Sequence, residues 1–297
     1  MGKSSDLLGG LIVASFGRQY LVETADGRLL PCTTYGKKGG AVCGDRVTVL
    51  PTSADQGVIE TIEPRRSLFY RASEAREKLI AANVTQVVIV VAAVPSFYEE
   101  LLNRCLVAAE VAEVKVLIVL NKADLTAETA AAAETLALYA GLGYPVLQLS
   151  AHGDVSALRA RLAGETSVLV GQSGMGKTSL INALVPDAGA RTAEVSAKLD
   201  SGRHTTTHAR LYHLDASSDL IDSPGLQEFG LGHADRNQIE RAFPEFRPFL
   251  GHCKFNDCRH ATEPGCAVQQ AVAGGHISQR RYDIFQRIIK PHLVTRG

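Results

Sequence analysis

The chain has 297 residues, of which 45% are hydrophobic, and it carries 31 basic and 31 acidic residues. This length exceeds one ordinary domain and predicts two or three. The zero formal charge excludes a strong global field that would draw the whole molecule to nucleic acid. The balance is uneven along the chain, since residues 235–297 carry 10 basic and 6 acidic residues and form the basic segment.

Apolar runs stay short of the roughly 20 residues that a membrane helix needs, and the N-terminal region lacks a signal-peptide pattern. We therefore expect a soluble cytoplasmic protein without a membrane partner, and nothing in the sequence demands an oligomer over a monomer. Three of the six cysteines fall within residues 253–266, which points to a metal site rather than to disulfide bonds.

Residues 9–63 read as about five short strands separated by turns, with Asp26-Gly27 as a hairpin signal. This spacing fits a small closed barrel of the OB type. A basic loop at residues 35–40 either follows a nucleic-acid backbone or is an ordinary solvated loop, and the sequence does not separate the two. The run Pro64-Arg65-Arg66 indicates a domain boundary.

From residue 80 onward, buried strands alternate with helices, which is typical of a parallel sheet with helices on both faces. The pattern predicts strands at 86–92, 115–120, 145–149, 167–170, 209–214 and 219–221, and helices at 96–113 and 128–140. Residues 186–208 show no clear periodicity. A further basic helix is predicted at 278–290, where Arg280, Arg281 and Arg287 could contact RNA phosphates.

A phosphate-binding loop is predicted at Gly171-Gln172-Ser173-Gly174-Met175-Gly176-Lys177-Thr178, followed by Ser179 at a helix start. The glycines let backbone amides approach an anion, and the helix N-terminus adds donors. Lys177 would neutralise the β and γ phosphates, and the Thr178 hydroxyl would hold Mg²⁺. The strand, turn and helix order makes a chance match improbable.

A guanine-reading loop is predicted at Asn121-Lys122-Ala123-Asp124, which follows a strand. Asp124 can accept hydrogen bonds from guanine N1 and its exocyclic amine, whereas adenine would leave this carboxylate unpaired. Lys122 can lie over the base, Asn121 can support the loop, and Ser150-Ala151 can present an amide to guanine O6.

A second switch is predicted at Asp222-Ser223-Pro224-Gly225, where Asp222 would reach Mg²⁺ through water and the Gly225 amide would contact the γ phosphate. The first switch lies in residues 202–207, where Thr206 or Thr207 would offer a hydroxyl to Mg²⁺. Residues alone do not choose between these two threonines.

The order of these motifs is permuted, because the guanine-reading loops at 121 and 150 precede the phosphate loop and the switches. A compact domain tolerates such a permutation when its original ends lie close together. As a consequence, the segment after Gly225 is tethered to the element that moves on hydrolysis.

A structural zinc site is predicted from Cys253, Cys258, His260 and Cys266, since three thiolates and one imidazole make a closed tetrahedral set. His252 is a competing ligand. In the basic helix, Tyr282, Phe285 and Ile289 recur at helical spacing and are predicted core contacts.

With these motifs the chain resembles the ribosome small-subunit-dependent GTPase A family, also called RsgA or YjeQ, over nearly its whole length. The resemblance implies a multidomain α/β protein: an N-terminal OB-type RNA-binding β-barrel (1–66), a circularly permuted GTPase domain (67–232) and a C-terminal α-helical zinc-binding domain (233–297). It implies docking on the small ribosomal subunit and its rRNA late in maturation, with GTP hydrolysis stimulated by that subunit and coupled to release. The expected cofactors are one structural Zn²⁺ and Mg²⁺ with GTP.

The water-orienting glutamine of Ras-like enzymes is missing, because Leu226 follows Gly225. The family resemblance favours His204 for this catalytic role. Gln227 and a group supplied by the ribosome are the competing readings.

Two other functions compete with a regulatory GTPase. The first is a P-loop kinase that transfers the γ phosphate to a small molecule, which Asn121 and Asp124 argue against. The second is an RNA-binding adaptor with relic GTPase parts, which the intact Lys177, Thr178 and Asp222 argue against.

Overall fold

The computed structural model of the protein describes residues 7–34, 40–71, 78–186, 188, 209–223, 226–227 and 229–290. Most of the basic loop at 35–40 and the whole first switch lie outside these residues, as do Pro224 and Gly225 of the second switch. None of the described helices is long and apolar enough to cross a membrane.

The N-terminal unit is a closed five-stranded barrel, as predicted. Strand β1 pairs with both β2 and β4, and β5 pairs with β3 and β4, so no edge is left open. A cluster of buried hydrophobic side chains that includes Ile12, Tyr20 and Val47 fills the barrel. The strands are β1 (Leu8–Phe16), β2 (Gln19–Thr24), β3 (Leu29–Thr34), β4 (Arg46–Pro51) and β5 (Gly57–Ile62).

A two-stranded antiparallel hairpin follows the barrel, formed by β6 (Leu68–Arg71) and β7 (Lys78–Ala82). The sequence pattern did not predict this element. The hairpin packs against the segment after the second switch, because the Phe69 and Phe229 rings lie 4.6 Å apart and the Gly230 amide donates to the Tyr70 carbonyl at 2.8 Å. The hairpin therefore fixes the start of the segment that leads from the central unit to the C-terminal unit.

The central unit is a mixed sheet in the order β10-β9-β8-β11-β13-β12, flanked by helices. All pairs are parallel except β12–β13, and β12 also pairs antiparallel with β1, which joins this sheet to the barrel. Its strands are β8 (Gln86–Ala92), β9 (Lys115–Asn121), β10 (Val146–Gln148), β11 (Thr166–Val170), β12 (Ala209–His213) and β13 (Asp219–Asp222). Its helices are α1 (Glu99–Val111), α2 (Thr126–Gly141), α3 (Ser156–Leu162) and α4 (Lys177–Leu184).

The C-terminal unit is helical. It contains α5 (Arg236–Arg241), a 3₁₀ helix (Pro244–Phe249), α6 (Ala267–Ala273) and α7 (Gln279–Ile289). Asp235 caps α5, since its carboxylate accepts a hydrogen bond from the Gln238 backbone amide at 2.8 Å and the Gln238 side-chain oxygen accepts one from the Asp235 backbone amide. Phe285 and Ile289 of α7 are fully buried, as their helical spacing predicts.

Candidate nucleotide and metal sites

The phosphate loop connects β11 to α4 at the carboxyl end of the sheet. Gly176 precedes α4 at a φ of 90°, and Gly171 begins the loop where an added Cβ would lie 2.2 Å from the Val90 carbonyl oxygen. Gly176 needs glycine because its φ lies in the left-handed region, and Gly171 needs glycine because a side chain there would collide with the Val90 carbonyl. Met175 is buried in the core below, which anchors the loop between its two glycines.

Lys177 is folded back onto its own loop. Its ammonium donates to the Gly171 and Gln172 carbonyls, the second at 2.9 Å. Burial lowers the pKa of Lys177, and the nearby Asp222 carboxylate opposes that shift. Burial also raises the pKa of Asp222, with Lys177 opposing. The two charges therefore compensate each other where a phosphate would enter.

Asp222 lies beside the phosphate loop because β11 and β13 are parallel neighbours, with Leu169 paired to Asp222 in register. Thr178 is the second residue of α4 and is exposed at the same end of the sheet. The predicted magnesium ligands therefore come from adjacent elements.

Asn121 joins three loops. Its side chain is 1% exposed; its amide donates to the Met175 carbonyl at 3.0 Å, and its carbonyl accepts the Ala151 amide at 3.0 Å. One buried amide thus connects the guanine-reading loop to the phosphate loop and to Ser150-Ala151. Gly176 makes this approach possible, because an added Cβ there would lie 2.2 Å from the Asn121 amide nitrogen.

Asp124 is exposed. A hydrogen bond from the Ser150 side chain is the main cause of its lowered pKa, so the carboxylate is ionised and an acceptor at neutral pH. Lys122 adopts a left-handed φ of 63°, and its ammonium donates to the Val94 carbonyl at 2.7 Å. Ala123 is fixed by its amide, which donates to the Leu149 carbonyl.

The segment Ala93–Tyr98 between β8 and α1 borders the site, and sequence reasoning missed it. Its Tyr98 amide donates to the Gln172 side chain at 2.5 Å, and Pro95 lies 3.1 Å from where a Cβ on Gly174 would be. Ser173 and Gly174 are exposed beside it. A proline just after a buried strand was the available sequence signal.

The first-switch residues predicted at His204, Thr206 and Thr207 lie outside the described residues, as does Gly225. Leu226 is described and has no exposed surface. Gln227 is exposed, and its carbonyl lies 3.9 Å from the Cys105 sulfur.

The four predicted zinc ligands converge. The Sγ atoms of Cys253, Cys258 and Cys266 and a ring nitrogen of His260 all lie within 4.8 Å of one another. The Cys253 and Cys266 sulfurs are 3.9 Å apart, and His260 Nδ1 lies 3.5 and 3.3 Å from them. A tetrahedral ion with Zn–S bonds of about 2.3 Å needs ligand separations of about 3.8 Å, so these donors fit zinc. His252 is exposed and is not one of the four.

Further groups orient this cluster. Glu240 Oε1 lies 3.7 Å from His260 Nε2 and accepts Arg236 Nε at 2.6 Å. The Ala267 and Gln269 amides donate to the Cys253 and Cys266 sulfurs. A carboxylate behind a ligating histidine is the usual support of a zinc site. Glu240 lies outside the segment from Cys253 to Cys266, so the sequence pattern did not predict it as a partner of the cluster.

The basic-helix prediction for Arg281 was wrong. This side chain is 1% exposed and cannot reach RNA, while Arg280 and Arg287 pair with Glu99 and Glu100 of α1. A basic helix that docks on an acidic first turn of another helix presents the same sequence pattern as one that binds phosphate.

Comparison with known proteins decides the family. The model of the RsgA GTPase family matches residues 62–232. The chain belongs to the RsgA GTPase family. A relative from Nitrosospira multiformis, named small ribosomal subunit biogenesis GTPase RsgA, is 56% identical over 96% of this chain and 91% of its own length. A relative of the same name from Burkholderia pseudomallei is 52% identical over 94% of this chain and 91% of its own.

Solved structures agree on the architecture. The crystal structure of YjeQ from Thermotoga maritima superposes with a TM-score of 0.75 at 29% identity, covering 98% of this chain and 100% of that one. YloQ, described as a circularly permuted GTPase, gives a TM-score of 0.70 at 26% identity, covering 100% of this chain and 99% of its own. The predicted family and fold class are confirmed, and the family's activity makes the protein a hydrolase that acts on GTP.

Proposed function

We propose that this protein hydrolyses GTP to GDP and phosphate during biogenesis of the small ribosomal subunit. The relatives' shared name supports the biological setting. The observation that carries the chemistry is Asn121, whose buried amide holds the guanine-reading loop against the phosphate loop. A site organised this way couples base recognition to phosphate binding.

The phosphates of GTP are held by amides of the loop and by Lys177. On nucleotide entry the Lys177 ammonium exchanges its two loop carbonyls for phosphate oxygens, which is favourable because bonds to anionic oxygens replace bonds to neutral carbonyls. Mg²⁺, when bound, neutralises charge on the β and γ phosphates, and Thr178 and Asp222 are the residues that would hold it. The proposed phosphate-binding set is Gly171, Gln172, Ser173, Gly174, Met175, Gly176, Lys177, Thr178, Ser179, Asp222 and Gly225.

Guanine specificity rests on Asp124, with Asn121, Lys122, Ala123, Ser150 and Ala151 shaping the loop around it. The Ser150 bond keeps the Asp124 carboxylate ionised and oriented before the base arrives. Because an adenine cannot donate to this carboxylate, its binding would leave a charge desolvated and unpaired.

His204 is the residue proposed to orient the attacking water. Thr206 or Thr207 is proposed to offer the switch hydroxyl to Mg²⁺. The buried Leu226 side chain supports a group from elsewhere, because this position offers no polar atom to water. The exposed Gln227 and a group from the ribosome are the alternatives.

The Cys253, Cys258, His260 and Cys266 set is proposed to hold one structural zinc, since four protein donors leave no open position for catalysis. The proposed domains are residues 1–66, 67–232 and 233–297. The proposed partners are the small subunit and its rRNA. We further propose that the protein is a cytoplasmic monomer without a membrane partner.

A GTPase assay with and without purified small subunits tests this function. We expect phosphate release from GTP to rise with subunits, and Asp124→Asn to lose GTP turnover while gaining turnover of xanthosine triphosphate. ATP serves as the matched control nucleotide. Equal rates with and without subunits would remove the regulatory role, and nucleoside diphosphate formed without free phosphate would indicate a kinase.

A further inference from the structure

The first turn of α1 contacts both the phosphate loop and the C-terminal helix. The Tyr98 amide, which begins this turn, donates to the Gln172 side chain at 2.5 Å. The next residue, Glu99, accepts a hydrogen bond from Arg280 of α7. Two consecutive residues therefore connect the nucleotide site to the zinc-bearing unit, by a route separate from the covalent link after Asp222.

A buried arginine reinforces this connection. Arg281 is 1% exposed and forms a two-point bond with Glu245 at 2.6 and 3.2 Å. It also donates to Asn103 of α1, and its guanidinium lies 4.5 Å from the Phe243 ring centroid. A charge this deeply buried is tolerated because each of the three guanidinium nitrogens donates to a partner.

The same network fixes the position of Glu99. Asn103 donates to the Glu99 carbonyl at 2.7 Å and to the Tyr139 hydroxyl at 2.6 Å. The Tyr139 hydroxyl in turn donates to the Glu99 carboxylate at 2.7 Å. Arg281 thus holds Asn103, and Asn103 holds the first turn of α1.

The phosphate loop depends on that turn through Gln172. The backbone carbonyl of Gln172 accepts the Lys177 ammonium at 2.9 Å, so a displaced Gln172 moves the partner of the phosphate-binding lysine. Gly174 packs against Pro95, which is part of the same segment before α1. Loop and segment therefore share two separate contacts.

We propose that Arg280 and Arg281 are positioning residues for the phosphate loop and act through Glu99, Asn103 and the Tyr98–Gln172 contact. The C-terminal unit then sets the geometry of nucleotide binding, and by linkage bound nucleotide stabilises the docking of that unit. The inference rests on residues 171–179 being the phosphate loop, as proposed above.

Mant-GDP release from the full-length, zinc-loaded protein tests the proposal. The variants are Arg281→Met, Gln172→Met and the double variant. Stopped-flow fluorescence measures the release rate of each variant, and intrinsic GTP hydrolysis gives its kcat and KM. The matched control is Arg287→Gln, which breaks a pair between the same two helices whose side chains are 57% and 42% exposed.

We expect Arg281→Met and Gln172→Met each to raise the mant-GDP dissociation rate about 5-fold or more, the lower end of typical coupling between sites. The double variant should release more slowly than the product of the two single effects predicts, because both changes act on the Tyr98–Gln172 contact. KM should rise along with release, and the control should match wild type.

Wild-type release from a folded, zinc-loaded Arg281→Met protein would overturn the proposal, and so would strictly multiplicative effects in the double variant. If Arg281→Met does not fold, Arg280→Gln carries the test with the same expected direction, and unchanged release there overturns it. A wild-type protein that fails to bind mant-GDP would overturn the phosphate-loop assignment itself, which separates the two failures.

Discussion

The carbonyl oxygen of Leu226 accepts a hydrogen bond from the amide of Gly171 at 3.4 Å, so the residue that follows the second switch contacts the first residue of the phosphate loop. The Leu226 amide donates to the Ser223 carbonyl at 2.9 Å, and its side chain lies wholly in the main core. This position therefore gives the nucleotide site a backbone contact and no side chain.

Leu226→Gln is expected to destabilise the protein without speeding hydrolysis. Burying an unpaired amide and losing apolar packing should together cost about 2–4 kcal/mol. Thermal unfolding and intrinsic phosphate release measure the two effects, with Leu226→Met as the apolar control. A faster intrinsic rate in Leu226→Gln would show that this side chain can reach the attacking water.

Gly176→Ala is expected to abolish tight nucleotide binding, whereas Gly143→Ala is expected only to reduce stability. The two glycines have φ angles of 90° and 93°, so both substitutions carry similar backbone strain. They differ in space, because a Cβ at 176 lies 2.2 Å from Asn121 and a Cβ at 143 meets nothing within 4 Å.

Mant-GDP titration and thermal unfolding of both variants separate the effect of the Cβ collision with Asn121 from the effect of backbone strain. Strain alone should lower stability by about 1 kcal/mol in each. Equal nucleotide affinity in the two variants would mean that the contact between Asn121 and the phosphate loop is dispensable.

Most of the fold and the cluster of four metal-ligating side chains could be predicted, because they depend on local patterns. The sequence alone shows the spacing of glycines at Gly171 and Gly176 and the spacing of metal-ligating residues from Cys253 to Cys266. The prediction that Arg281 contacts RNA was wrong because an arginine can bind phosphate or form a buried ion pair between helices. Only the position of its acidic partner distinguishes the two roles. Glu245 and Asn103 come to Arg281 from distant parts of the chain, which a sequence pattern does not reveal.

Glu240→Gln is expected to weaken zinc binding about 10-fold, the lower end of the effect of removing a supporting carboxylate. Glu240 faces His260 Nε2 and holds Arg236, whose guanidinium also donates to the Cys258 carbonyl. Equilibrium competition with a chromophoric chelator measures the affinity. Asp283→Asn, an exposed carboxylate on α7, is the matched control, and equal affinities in the two variants would contradict the supporting role.

His213 is expected to stabilise the junction of barrel and central sheet only at lower pH. Its Nδ1 lies 2.7 Å from Asp219 and its Nε2 lies 2.6 Å from Glu23 of the barrel. Hydrogen bonding to Asp219, with a further contribution from Glu23, raises the pKa of His213 to about 9 from its ordinary 6.5. The imidazolium is thus favoured in the folded state.

Because the folded-state pKa is raised, the stabilisation is fully present below about pH 6.5 and is lost as pH rises through about 9. The side chain is 44% exposed, so solvent screening limits the effect to about 1 kcal/mol or less. Calorimetric Tm values of wild type and His213→Gln should differ at pH 6 and converge by pH 10. His152→Gln, an exposed histidine elsewhere, controls for general effects of histidine loss. A gap in Tm that stays constant from pH 6 to pH 10 would assign His213 a packing role instead of a charged one.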